Sequence, residues 1–252
     1  MFSNLLSQLP LYLLSLPMVL LALSVHETAH GYAAYKLGDP TARSLGRLTL
    51  NPLKHIDPIG FICMLLFHFG WAKPVPINTR YFKKPRLGMA ITAAAGPISN
   101  ILLAVILAGL LRLEVLLADV LCSEDIVTFI MGGTEISAVF KIFSALAYML
   151  YIGIILNLGL AVFNMLPFPP LDGSRIFYLF LPVNWYFTVM KYERYIMIAL
   201  LVALWIFPGT WLSGISNWLS GLVLNIFGFW DSSVALGELN VMVYYISSAL
   251  SL

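Results

Sequence analysis

Charge is scarce in this sequence. Asp, Glu, Lys and Arg make up 10% of its 252 residues, while 60% are hydrophobic. A water-soluble domain carries about a quarter charged residues, and so apolar a chain cannot clothe itself in water. Cysteine is nearly absent too. Cys63 and Cys122 are the two present, which excludes a disulfide scaffold, and their segments are expected near opposite membrane faces, so no bridge between them is expected. A net charge of +2 gives no basic excess for a nucleic-acid partner. No internal repeat, low-complexity tract or domain linker interrupts residues 1–252, which are expected to form a single membrane-embedded domain.

Long uncharged runs fill the space that charge leaves. Residues 9–25, 142–171 and 195–230 contain no Lys, Arg, Asp or Glu, and about 20 apolar residues suffice to cross a bilayer as a helix. The first run has no basic segment before it and exceeds the apolar length of a signal peptide, so it is expected to be a retained helix. The pattern implies an all-α polytopic membrane protein with about five to six transmembrane helices. Spans are expected near 9–37, 87–113 and 137–166, with a short helix at 174–181 and C-terminal helices within 190–252, near 195–207 and 211–229. Residues 59–70 are apolar but too short to span. With the alternating, proline-bearing residues that follow, they predict a re-entrant or β-strand segment near 59–82.

Lys and Arg are unevenly placed. Nine of the 14 lie between Lys36 and Arg86, whereas 113–140 holds Glu114, Asp119, Glu124, Asp125 and Glu135 and no Lys or Arg. The positive-inside rule puts 36–86 in the cytoplasm and 113–140 outside. This predicts a multi-pass protein of the cell membrane, with the ends of the first and third spans meeting at the cytoplasmic side.

At that end of the first span stands His26-Glu27-Thr28-Ala29-His30, an H-E-x-x-H pattern. Four residues make one helical turn, so His26 and His30 share a face and can reach one cation. Imidazole suits zinc, and a catalytic zinc keeps a fourth position for water. Glu27 is placed to take a proton from that water. Ionisable groups inside a membrane helix are costly, so a functional role is the default for them; mutual pairing is the bland alternative.

Two histidines leave a ligand set incomplete. Asp172 follows a proline-broken span, and Gly173 beside it permits close backbone approach. Equally, an aspartate after Pro-Pro-Leu could simply cap the next helix. His55 and Asp57 are rivals but sit in a polar loop where solvation is the ordinary fate. His68 could be a satisfied interior histidine.

HETAH followed by AAYKLGDPTA, GPISN on a later span, and FNMLPFPPLDGSR together resemble the site-2 protease family of intramembrane zinc metalloproteases. The similarity covers about residues 10–180, and RLTLNPLKHIDPIG with FGWAKPVPIN resembles its short, core-only bacterial or archaeal subgroup. The resemblance implies His26, His30 and Asp172 as ligands of one Zn2+ per chain, Glu27 as catalytic base, and Asn164 as an oxyanion-stabilising amide. Asn164, like Asn157 and Asn100, could otherwise make a span-to-span hydrogen bond. Gly96 and Pro97 imply close helix packing with a local distortion. FGWAKPVPIN would lie near the mouth of the site, where a strand edge could bind substrate in extended form. No PDZ or CBS module is recognisable.

The function implied is cleavage of transmembrane protein substrates by metal-activated water, within the lipid bilayer and toward its cytoplasmic side. A membrane metallopeptidase acting on signal-peptide remnants or small peptides is the alternative within the same chemistry. A non-catalytic scaffold or transporter is the alternative outside it, although the sequence has no inverted repeat to support one. Substrate identity and oligomeric state are left open.

Overall fold

The computed structural model describes residues 2–67, 70, 72–130, 137–182, 191–206 and 210–229. Helices dominate. In chain order they are α1 (Phe2–Lys36), α2 (Thr41–Ser44), α3 (Pro58–Phe67), α4 (Pro85–Leu121), α5 (Ser123–Ile130), α6 (Ala138–Asn164), α7 (Asp172–Phe177), α8 (Glu193–Ile206) and α9 (Thr210–Ile226). Helices α1, α4 and α6 are long and apolar enough to cross a membrane. Along α4, large apolar side chains such as Leu102 (59%) and Val120 (76%) are exposed, an arrangement suited to lipid rather than water.

The helix ends follow local chemistry. Gly38, at φ 104°, closes α1. That left-handed turn lets the Gly38 and Asp39 N–H groups donate to the carbonyls of Tyr35 and Ala34 at 3.0 Å each, satisfying groups a helix end leaves bare. α6 ends at Asn164, before the prolines of MLPFPP, which supply no N–H and block continuation. Several boundaries differ from those expected. α1 begins at Phe2 rather than residue 9, and α4 continues to Leu121, beyond the expected 113. α7 is Asp172–Phe177 instead of 174–181.

The expected β-strand is corrected. Among the described residues there is no strand, only an isolated antiparallel bridge between Ile56 and Ala72. Pro74 and Pro76 have no N–H to give a ladder. The Lys73 N–H donates to His55 O at 2.8 Å, and the carbonyls of Lys73 and Pro74 accept from Arg47. The apolar run before it forms α3, ten residues long, about 15 Å at 1.5 Å per residue and so half a bilayer core.

The residues group into two compact units. One comprises the described residues within 1–19, 103–158 and 216–252. Its core joins Leu107, Leu111 and Val115 of α4, Phe140, Ile154 and Leu158 of α6, and Val223 and Leu224 of α9. Gly153 lets Leu107 and Met18 close on α6, since a Cβ there would lie 3.0 and 3.1 Å from them. Asp125 accepts from the N–H and hydroxyl of Ser137, which holds its carboxyl below the usual range and ties α5 to the start of α6.

The other unit comprises the described residues within 20–102 and 159–215. It contains the distal half of α1, the short helices and loops up to α4, the first half of α4, and α7 with α8. Its connections are held by charged side chains. Arg86, near the start of α4, donates to the carbonyls of Tyr178 and Leu181 at 2.6 Å each. Arg175 of α7 pairs with Glu193 of α8 at 2.7 Å.

Both cysteines are free thiols. Cys122, although it follows the last residue of α4, is 2% exposed and belongs to the core. Burial pushes its thiol pKa up, aided by the charges of Asp125 and Glu114, so little reactive thiolate is available. In a Cys63→Ser background, Cys122 should resist a water-soluble thiol reagent at pH 8 and react fully after denaturation. Mass spectrometry of the labelled chain reads the result, and rapid native labelling would refute this packing.

Candidate metal centre

His26 and His30 occupy successive turns of α1, and their rings meet edge to face with centroids 4.5 Å apart. Asp172 stands in the first turn of α7. The three side chains offer ligand atoms that all lie within 4.8 Å of one another. His26 Nε2 is 3.2 Å and His30 Nε2 is 3.3 Å from Asp172 Oδ2, and the two Nε2 atoms are 3.0 Å apart. The histidines are 7% and 8% exposed.

The partners of the other ring nitrogens decide what those Nε2 atoms can do. His30 Nδ1 lies 2.7 Å from the backbone carbonyl of Thr92. A carbonyl only accepts, so the proton is on Nδ1. His26 Nδ1 lies 3.2 Å from Asn100 Oδ1, which assigns its proton in the same way. Both Nε2 atoms then present lone pairs. Asp172 Oδ2 is buried and makes no hydrogen bond. Three electron-pair donors therefore face one point without a proton between them. One added proton could bridge only one pair; a divalent cation satisfies all three. Ligand atoms about 2.0–2.1 Å from a tetrahedral zinc stand roughly 3.3–3.4 Å apart, close to the observed spacing. The residues fit such an ion.

Local sequence explains the approach of α4. A Cβ on Gly96 would lie 2.5 Å from His30 Cε1 and Nε2 and 2.6 Å from His26 Cε1, so only glycine lets the helix pass the imidazoles. Pro97, inside α4, has no N–H to serve Ala93 O. The adjacent carbonyl, that of Thr92, takes the His30 proton. The expected close packing at Gly96 thus has a specific role. Sequence reasoning treated Asn100 only as a span-to-span bond and did not foresee Thr92 O; the signal available was GPISN, with Asn100 one helical turn after Gly96.

Asp172 does not cap its own helix. Leu171 is the capping residue, and no side chain bonds there. The carboxylate is instead directed at the imidazoles, while Gly173 seats α7 against the preceding chain. A Cβ at Gly173 would be 2.2 Å from Met165 O and 2.5 Å from Leu166 O.

Glu27 is half-buried, and its Oε2 accepts from the Val75 N–H at 2.8 Å. Asn164, the last residue of α6, donates from Nδ2 to Leu160 O at 3.0 Å. Glu27 is not among the converging ligand atoms of His26, His30 and Asp172. The rivals have other partners. Asp57 accepts from the Gly60 N–H at 2.8 Å, as an N-cap does. His55 is not solvated as expected but 1% exposed. It is held 2.7 Å from Thr49 O, because the loop folds back on α1 through Thr28 and Thr49. His68 lies outside the described residues.

Gly96→Ala should displace the imidazoles and cut the divalent metal retained on purification well below that of the unaltered chain. Metal analysis of folded protein checks this; full retention would refute the packing.

The sequence profile described as peptidase family M50 matches residues 15–206. A protein of Bacillus subtilis (strain 168), YwhC, designated a zinc metalloprotease, is 43% identical over 184 residues, 73% of this chain and 76% of the relative. A second, Rip2 of Mycolicibacterium smegmatis, with the same designation, is 29% identical over 174 residues, 67% of this chain and 57% of its own length. No solved structure matches the chain. With the profile spanning most of its length and a relative this similar, the chain belongs to peptidase family M50.

Proposed function

We propose that the protein is an intramembrane zinc metalloprotease that cleaves transmembrane protein substrates toward the cytoplasmic side of the cell membrane. His26, His30 and Asp172 would hold one zinc per chain. The observation that carries this reading is the meeting of two proton-free Nε2 atoms and a carboxylate oxygen at 3.0–3.3 Å. The designations of both relatives as zinc metalloproteases support the choice of metal, and imidazole with carboxylate suits zinc.

Zinc bound there supplies Lewis acidity, polarising the scissile carbonyl and acidifying water. The chain's own groups supply the rest. Thr92 O and Asn100 Oδ1 hold the imidazoles in the tautomer that leaves Nε2 free. Glu27 takes a proton at its carboxylate from the attacking water and returns it to the leaving nitrogen. Asn164 would turn its Nδ2 from Leu160 O toward the developing oxyanion.

The membrane setting follows from the histidines lying on α1, one of the apolar helices long enough to span. In this reading α8 and α9 add spans toward the five or six expected, α3 is a re-entrant piece, and residues 1–252 work as one protease domain. Nine basic residues between Lys36 and Arg86 support a cytoplasmic site.

Glu27→Gln should retain one zinc per chain and lose cleavage of a transmembrane reporter in proteoliposomes, whereas Asp172→Ala should lose zinc as well. Asn100→Ala should weaken zinc binding about 10–100-fold. Asn164→Ala should keep zinc and lose about 10²-fold in kcat. Normal cleavage by Glu27→Gln would end the peptidase reading. Orientation is checked separately: a cysteine at the exposed Glu124 should label from outside intact cells, and one at Lys83 should not.

A further inference from the structure

Residues 73–78 reach α1 at one point, and several unrelated interactions are spent on keeping them there. Asp39 is fully buried. Its Oδ1 accepts from the N–H and hydroxyl of Thr41, and its Oδ2 accepts from the Asn78 N–H at 2.6 Å. Arg47 is also buried, and its guanidinium donates to Lys73 O at 2.7 Å and Pro74 O at 3.2 Å. Burying a charge is expensive unless it is hydrogen-bonded. Here a carboxylate holds one end of the segment and a guanidinium holds the other.

Val75 lies between these anchors. Its side chain is buried and packs over Gly31 of α1, where a Cβ would come 3.0 Å from Val75 Cγ1. Gly31 is one helical turn after Glu27, so close approach there brings the Val75 backbone beside the Glu27 carboxylate. The outcome is the 2.8 Å bond from Val75 N–H to Glu27 Oε2. Pro74 and Pro76 flank Val75 and have no N–H, so the segment offers the carboxylate a donor at a single register.

We infer that residues 73–78 are the positioning element of the proteolytic base, with Arg47 and Asp39 as positioning residues that hold the Val75 N–H against Glu27. The bond restrains one carboxylate oxygen and leaves Oε1 for proton transfer. This rests on the peptidase reading for its consequence in catalysis, but not for the contact itself. The segment also has less to offer a substrate strand than its sequence suggests: two of its positions are proline, and the N–H groups of Lys73, Val75 and Asn78 are already engaged.

Two measurements test this on the full-length protein in detergent. The first is amide hydrogen exchange, which needs no activity. Because the prolines contribute no amide, a fragment over 73–77 reports few sites besides Val75. Exchange there should accelerate about tenfold or more in Glu27→Ala, as expected when an amide loses its acceptor, and also in Arg47→Ala. Unchanged exchange in Glu27→Ala would overturn the inference whatever the enzyme does.

The second measurement is cleavage of a transmembrane reporter by Arg47→Ala, Asp39→Asn and Gly31→Ala, with zinc content and Tm measured alongside. A general base is worth roughly 10²–10⁴-fold, so a misplaced one should cost about tenfold in kcat while KM and zinc content stay within about twofold. Gly31→Ala is informative because alanine favours the helix while crowding Val75, so kcat should fall without loss of Tm. Arg47→Lys should restore part of kcat through its remaining donor. A rise in KM with kcat unchanged would make the segment a substrate-binding strand and overturn the proposal, as would unaltered kinetics in all three variants. If the unaltered protein cleaves no reporter, the peptidase reading fails, while Val75 exchange still decides the contact.

Discussion

Two imidazoles each give their only proton to an acceptor on α4, and what remains is a pair of lone pairs 3.0 Å apart with an ionised carboxylate behind them. Such a cluster is repulsive as it stands. Bringing like-signed electron density together in a buried place costs several kcal/mol unless a cation or proton enters. The chain nevertheless commits several elements to it: a helix turn on α1, a glycine and a proline on α4, and a helix start at Asp172. Metal binding would turn that unfavourable convergence into a stabilising one. The site and the fold around it are therefore one problem.

The position within an apolar helix makes this sharper. On α1, the His-Glu-His turn lies at the end of a run that is otherwise uncharged from residue 9 to 25. Both histidines are buried, so each polar group there needs a protein partner. Thr92 O, Asn100 Oδ1 and the Val75 N–H are those partners. None of them is a cation. The neighbours fix proton positions and orientations while leaving the local charge balance to whatever occupies the centre. Had a lysine or arginine met Asp172, the carboxylate would have been neutralised and its affinity for a divalent ion lost.

How much of this was legible in the residues differs from element to element. HETAH was readable because helical spacing is short-range, and any helix through residues 26–30 brings the two imidazoles together. Asp172 could be ranked but not decided from the chain's own pattern, since capping and ligation want the same residue type after the same turn; only the approach of α7, permitted by Gly173, separates them. The β-strand expected within 59–82 was misjudged because alternation of apolar residues is a period without a partner. It says which side chains share a face, not whether a second strand is there to receive the N–H groups. Here the donors go to His55 O and to the carboxylates of Glu27 and Asp39. His55 was misjudged for a related reason. A polar neighbourhood in sequence suggested solvent, whereas the loop folds over it and gives its ring to Thr49 O.

Those misjudged residues share a property. Each belongs to the basic stretch between α1 and α4, where backbone is tied to charged or polar side chains rather than to other backbone. Arg47, Asp39 and His55 act there as substitutes for a sheet. Such an arrangement holds a segment at chosen points without requiring a regular surface beside it, which suits a place where one amide must meet one carboxylate. A ladder would fix every second N–H and leave no freedom to choose. With side-chain anchors, the prolines at 74 and 76 can remove the neighbouring donors and the amide between them can be aimed at Glu27. The irregular loop is thus the more selective way to deliver a single hydrogen bond, and its buried charges are the physical cost of that selectivity.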